Sequence, residues 1–365
     1  MDLNRRDFGK LALAAAAAPA GTLLAAKPNS NFDGVQIGTI TYSYRGEPGV
    51  NDAVQLLKMI VDSNISAIEL MPPDAEAFAG APQQQGRGGG GGGGARGGSG
   101  GGRGGGGFTP FAGGPGGPGG PGGGRGGSGG RGGGGGFGRA PMTPEQLAAQ
   151  QAQAEELKKW RLSASLDKFK EFRKMYNDAG VSIYCHKLTP TENMSDDEYD
   201  YFFTIAKTMG ASQVSLELTG PNAFTQKIGD FAAKHGMVAA YHAHEQATIT
   251  AWDGVLAQSK GNAVNIDCGH YYAGTGISPV PALEKLHARI ASAHLKDRTP
   301  SVPGTPGANL PWGQGSTPIK EILQAARKNK WKFPFSCELE YQVPDGSNAV
   351  IEVKKCVEYC RKALA

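Results

Sequence analysis

The chain has 365 residues, a formal net charge of +4 and 58 glycines, totals that mislead unless they are split along the sequence. Six arginines (Arg87, Arg96, Arg103, Arg125, Arg131 and Arg139) lie in an acid-free Gly-rich segment; without them the remainder carries −2. That part has no basic field, so nucleic acid is not its obvious partner.

Setting aside about thirty N-terminal residues and about sixty Gly-rich ones leaves roughly 270 to 280, which suits one large α/β domain. The N-terminus reads Asn4-Arg5-Arg6-Asp7-Phe8-Gly9-Lys10, followed by an Ala/Leu run from Leu11 to Ala18. It resembles a twin-arginine export signal over residues 1–26, with small-residue cleavage sites at Ala18-Pro19-Ala20 or Ala25-Ala26. The apolar run is too short to span a bilayer. An exported, periplasmic protein with no membrane span in its mature form is the expectation.

Val35 to Tyr44 is a β-branched and aromatic run, the first expected strand. Asn51 opens a helical pattern through Leu56, Leu57, Ile60 and Val61, and Ala67 to Met71 is the second strand, stopped by Pro72-Pro73. Residues 80–139 then hold well over half of the glycines. Such a segment buries too little apolar surface to offset its ordering entropy, so a disordered Gly/Arg-rich insert is expected there.

Structure resumes at Thr143-Pro144-Glu145-Gln146, a capping box with Pro at the first helical position. The helical stretch breaks near Ser163 to Ser165 and ends at Gly180. Val181 to Lys187 is the third strand, and Ser195 to Glu198 caps the next helix. Strands follow at Gln213 to Leu218, Met237 to His244, Ala263 to Cys268, Ile290 to Lys296 and Phe335 to Tyr341. Helices over about 248–259, 281–288, 318–329 and 348–364 follow the last four. Eight strand–helix units of about thirty residues predict a (β/α)8 TIM barrel over residues 33–365, with the insert after strand two. The five cysteines (Cys185, Cys268, Cys337, Cys356 and Cys360) have no framework spacing and read as structural thiols.

Polar side chains collect at the C-terminal ends of these strands, where barrel active sites lie. They include Tyr42, Tyr44, Glu69, His186, Lys187, Glu217, His242, His244, Asp267, His270, His294, Lys296, Asp297, Glu338 and Glu340. Carboxylates and imidazoles converging on one mouth would repel or desolvate one another without a cation. The mixed oxygen and nitrogen donors suit one divalent ion: Mn, Zn, Co, Mg or Fe.

Tyr241-His242-Ala243-His244, Asp267-Cys268-Gly269-His270, His294-Leu295-Lys296-Asp297 and Glu338-Leu339-Glu340 occur in order at barrel spacing. The set resembles the motifs of the xylose-isomerase-like sugar phosphate isomerase/epimerase superfamily, on its inosose dehydratase-like branch. The resemblance implies one divalent metal held by Asp267, His294 and Glu338. A strand-five ligand would come from His242 or His244, where keto-sugar epimerases carry a glutamate, and Glu217 is a further candidate. Glu338 or Glu340, or one of the histidines, would be the general base, with His270 and Lys296 holding or protonating substrate oxygens.

The implied activity is isomerisation or epimerisation of a sugar or polyol-derived substrate through proton abstraction next to a carbonyl. A lyase or dehydratase acting on keto-sugars or oxidised glycosides is the alternative. An endonuclease IV-like phosphodiesterase would need several metals and a basic surface. A non-catalytic sugar-binding barrel would not need Asp267, His294 and Glu338 together. The Arg-Gly-Gly insert could instead bind RNA, although only Phe108, Phe111 and Phe137 are interleaved in it.

Overall fold

Short aliphatic runs, largely buried, build one sheet: β1 (Val35–Ile40), β2 (Ala67–Leu70), β3 (Ser182–Lys187), β4 (Gln213–Glu217), β5 (Val238–His242), β6 (Asn262–Asp267), β7 (Ile290–Leu295) and β8 (Phe335–Cys337). Sequential strands pair in parallel and β8 returns to β1, so the sheet closes into an eight-stranded barrel. The structure, a computed structural model, describes residues 27–72, 74–82, 143–188 and 190–365. The expected export signal (1–26) and nearly all of the expected insert (80–139) lie outside the described residues.

The helices form an outer ring because each carries one apolar stripe. Ile319–Asn329, for example, buries Ile319, Ile322, Leu323 and Ala326, the spacing of a single helix face. The predicted capping box at Thr143 forms: its hydroxyl accepts from Gln146 N at 3.2 Å, and the Gln146 side chain accepts from Thr143 N at 2.9 Å. All five cysteines are buried and free, as their apolar settings suggest. Among the described residues no helix is long and apolar enough to cross a membrane.

Several boundaries differ from expectation. The first helix begins at Ala53, not Asn51, because the Asp52 carboxylate accepts from Val54 N and Gln55 N. The first strand stops at Ile40, and Thr41–Tyr44 winds into a 3-10 turn. Hydrogen bonds from Met71 N to Thr41 Oγ1 and from Thr39 Oγ1 to Cys337 O hold it there. Strand five ends at His242, so His244 stands on the following loop, and strand eight ends at Cys337, leaving Glu338 and Glu340 just beyond it. The helix expected over 248–259 is only Asp253–Gln258, since the buried Trp252 indole donates to Tyr241 O at 2.7 Å and fixes the turn before it. Two helices, Asp74–Phe78 and Cys268–Thr275, were not anticipated.

Close backbone approach sets one inter-element fit that apolar pattern does not reveal. A Cβ at Gly261, ahead of β6, would lie 2.0 Å from the Gly229 carbonyl oxygen on the helix Ala223–Lys234. Gly261→Ala should therefore force that helix outward and cost about 1–3 kcal/mol, measurable by urea unfolding. Unchanged stability would show that the helix seats on β6 less tightly than this.

Candidate metal centre and active site

The β6–β7 register sets Asp267 beside His294, and the β7–β8 register sets His294 beside Ser336, so Glu338 follows two residues on. Asp267 is fully buried and caps the helix Cys268–Thr275, its Oδ1 accepting from His270 N at 2.7 Å. That cap leaves Oδ2 without a hydrogen bond, aimed into the mouth. His294 is buried between two carboxylates: Nε2 lies 2.7 Å from Glu69 Oε2, and Nδ1 lies 2.7 Å from Glu338 Oε2. Its Nδ1 is also 4.0 Å from Asp267 Oδ2.

His242 completes this side, its buried Nδ1 unpartnered and its ring centroid 4.8 Å from that of His294. His242, Asp267 and His294 each offer a ligand atom within 4.8 Å of the others.

Lys296 supplies the opposing charge. Its ammonium lies 3.0 Å from Asp267 Oδ2, 3.2 Å from Glu338 Oε2 and 2.9 Å from Glu340 Oε2. The Asp267 approach is an ion pair without hydrogen-bond alignment, which is why Oδ2 stays unsatisfied beside a cation.

Burial alone would raise the carboxyls, but Lys296 and neighbouring imidazoles outweigh it, holding Asp267 and Glu338 below the usual carboxylate range. Burial opposes charge on His294 as well, yet Glu69 and Glu338 push it up to about 10. His242 has no comparable partner, and burial takes it down to about 4. Burial and then Lys296 drive His270 well below 6.5, leaving a neutral ring.

A divalent ion fits this donor set. Two buried atoms, His242 Nδ1 and Asp267 Oδ2, lack hydrogen-bond partners, a costly arrangement that coordination would relieve. His294 Nδ1 and Glu338 Oε2 face the same region, giving two nitrogens and two oxygens. Glu69 on His294 Nε2 supplies the carboxylate support that metal-bound imidazoles commonly carry, fixing ring and tautomer.

The remaining predicted residues take other positions. Glu217 is engaged by Lys187 at 2.6 Å and His244 at 3.1 Å rather than joining the Asp267, His294 and Glu338 group. His244 instead stacks on His270, centroids 4.7 Å apart, and forms a second imidazole group with it and His242.

His270 is flanked by two cations, Lys296 at 2.8 Å from Nε2 and Arg298 at Nδ1. A neutral imidazole has one acceptor, and ammonium and guanidinium can both only donate, so the ring accepts from one of these cations at a time. Arg298 is anchored by Glu245 at 2.6 Å and by the Gly307 carbonyl, which holds its guanidinium at Nδ1.

Glu69 and Arg298 are the residues to which sequence reasoning assigned no role. Glu69 did leave a signal, being the one charged residue in its buried strand. Arg298 left none, because its contact with His270 joins two elements through folding alone.

Comparison with known proteins follows the same outline. A family model described as xylose isomerase-like TIM barrel matches residues 223–359, a span that includes the site from His242 to Glu340 but not Glu69, Lys187 or Glu217. No curated protein matches the sequence. Among solved structures, the probable 3-DHS dehydratase involved in petrobactin synthesis from Bacillus anthracis is 12% identical, with a TM-score of 0.52 over 89% of this chain and 98% of that one. A sugar phosphate isomerase/epimerase from Parabacteroides distasonis is 14% identical, with a TM-score of 0.51 over 93% and 97%. A putative uncharacterized protein from the same organism is 18% identical, with a TM-score of 0.50 over 90% and 99%. At these identities the likeness establishes the fold.

The imidazoles give the metal-free protein a signed pH response. His294, raised to about 10, contributes stability that is full below 6.5 and is lost as pH climbs toward 10. His242, lowered to about 4, contributes stability present above 6.5 and lost as pH falls toward 4. Between pH 6.5 and about 8.5, before thiols ionise, the melting temperature of chelator-treated protein should fall, and His294→Asn should flatten that fall. Equal slopes in the two proteins would remove His294 as the cause.

Proposed function

We propose that this mouth is the active site of a divalent-metal-dependent isomerase or epimerase acting on a sugar or polyol-derived substrate that carries a carbonyl. The supporting observation is the buried, unsatisfied pair of donors, Asp267 Oδ2 and His242 Nδ1, beside the His294–Glu338 contact and directly under Lys296 and Glu340. His242, Asp267, His294 and Glu338 would hold the metal. When bound, it would supply Lewis-acid polarisation of the carbonyl and so acidify the neighbouring C–H.

The chain's own groups divide the remaining work. Glu340 is partly exposed, lies outside the donor set and has Lys296 at 2.9 Å and His270 at 3.6 Å as its charged and imidazole neighbours, so it is the base for the proton next to the carbonyl. The Lys296 ammonium, beside Glu340, is the cation for the oxygen on which negative charge develops. Returning the proton to the same carbon gives epimerisation, and returning it to the former carbonyl carbon gives isomerisation. The N-terminal sequence supports export by the twin-arginine route, which would place this reaction outside the cytoplasm.

A lyase reading draws on one feature. The group beside Glu340 is the Lys296 ammonium, a proton donor 2.9 Å away, rather than a second free carboxylate. An oxygen expelled from the β-carbon would take its proton there.

The test is deuterium incorporation from D2O into a panel of keto-sugars and oxidised glycosides by Mn-loaded protein. Exchange should need the metal and should drop roughly 100-fold or more in Glu340→Gln. Products of unchanged molecular formula mean isomerase, and loss of water or alcohol means lyase. Exchange that survives both chelation and Glu340→Gln would sink the mechanism.

A further inference from the structure

We propose that the substrate of this mouth is uncharged at its reacting end: a neutral keto-sugar or ketone-bearing polyol, not a sugar phosphate or a sugar acid. The inference rests on the site assignment above and narrows it to a substrate class.

The first argument is charge pairing. Among the described residues, three cations line the mouth, and each already has a carboxylate that the metal would not need. Lys187 pairs with Glu217 at 2.6 Å, Lys296 with Glu340 at 2.9 Å, and Arg298 with Glu245 at 2.6 Å. The Glu217 and Glu245 carboxylates are held in place further, by His244 at 3.1 Å and Ser301 at 2.7 Å. His294 is committed to Glu69 and Glu338. Arg45, on the exposed rim after β1, is held by carbonyls and an aromatic face rather than a carboxylate: its guanidinium donates to the Tyr42 and Leu339 carbonyls and lies 4.1 Å over the Tyr42 ring.

The second argument concerns backbone amides. Barrel enzymes commonly seat a phosphate on N–H groups in the loops after strands seven and eight. Here the loop after β7 turns its amides onto a side chain instead. The buried Asp297 carboxylate accepts from Gly313 N at 2.7 Å, Gly315 N at 3.0 Å and Thr317 N at 3.2 Å. The N-terminus of the helix Cys268–Thr275 is likewise filled by its own cap, Asp267.

An anionic substrate that engaged Lys187, Lys296 or Arg298 would therefore have to break a formed ion pair, and one seated on the amides after β7 would have to displace a buried carboxylate. Hydroxyl and carbonyl oxygens can accept from Lys296 with the pairs intact.

The probe is inorganic phosphate, titrated by calorimetry into the chelator-treated full chain, so that no metal captures it. Wild type should show no saturable binding at the mouth, whereas Glu245→Gln, which frees Arg298, should gain affinity by roughly tenfold or more over wild type. Glu217→Gln, which frees Lys187, is the second variant should the first fail to fold.

Wild-type binding tighter than about 1 mM that is lost in Lys187→Met, Lys296→Met, Arg298→Met or Arg45→Met would overturn the proposal. Binding that survives all four lies elsewhere on the chain and agrees with it. Phosphate capture at the mouth would leave the proton-exchange result standing, and absent proton exchange would leave the charge pairing standing, so the two readings fail separately.

Discussion

Everything at the mouth depends on one buried ionic knot, in which the Lys296 ammonium sits among Asp267, Glu338 and Glu340 with His294 clamped between Glu69 and Glu338. Charges taken out of water cost several kcal/mol each unless their partners are well placed. Placement here comes from the barrel, because strand register sets Asp267 opposite His294 before any side chain moves. Even so, the knot leaves two donors unsatisfied, and that residue of unmet bonding is what gives it a chemical use.

Local devices turn register into orientation. Asp267 spends one carboxylate oxygen capping a helix, which frees the other at a fixed angle. Gly269 allows that helix to lie against β7, since a Cβ there would come within 2.8 Å of the Lys296 carbonyl oxygen. Asp297 ties down the loop from Gly313 to Thr317, and Glu245 anchors Arg298 beside His270. The same devices consume the cations and amides that would otherwise attract an anion. Support for the site and selection against charged substrates thus come from the same contacts.

The barrel was legible because eight short apolar runs alternate with helical stripes, a pattern that few other folds satisfy. Asp267, His294 and Glu338 were legible as strand-end polar residues in order, and the structure brings them together. The apolar run predicts a strand through His244, but the strand ends at His242 and His244 turns to Glu217 and His270. Glu217 looked available for metal, and only the fold reveals that Lys187 takes it. Arg298 was invisible for a different reason: its role depends on which nitrogen of a distant ring it meets, and no local pattern encodes that.

The most direct test is metal content. Elemental analysis of the purified full chain, after chelation and reloading with excess Mn2+ or Zn2+, should give one divalent ion per chain. Asp267→Asn and His294→Asn should each lose it while remaining folded. Wild type that retains no ion, or variants that retain it as well as wild type does, would contradict the account.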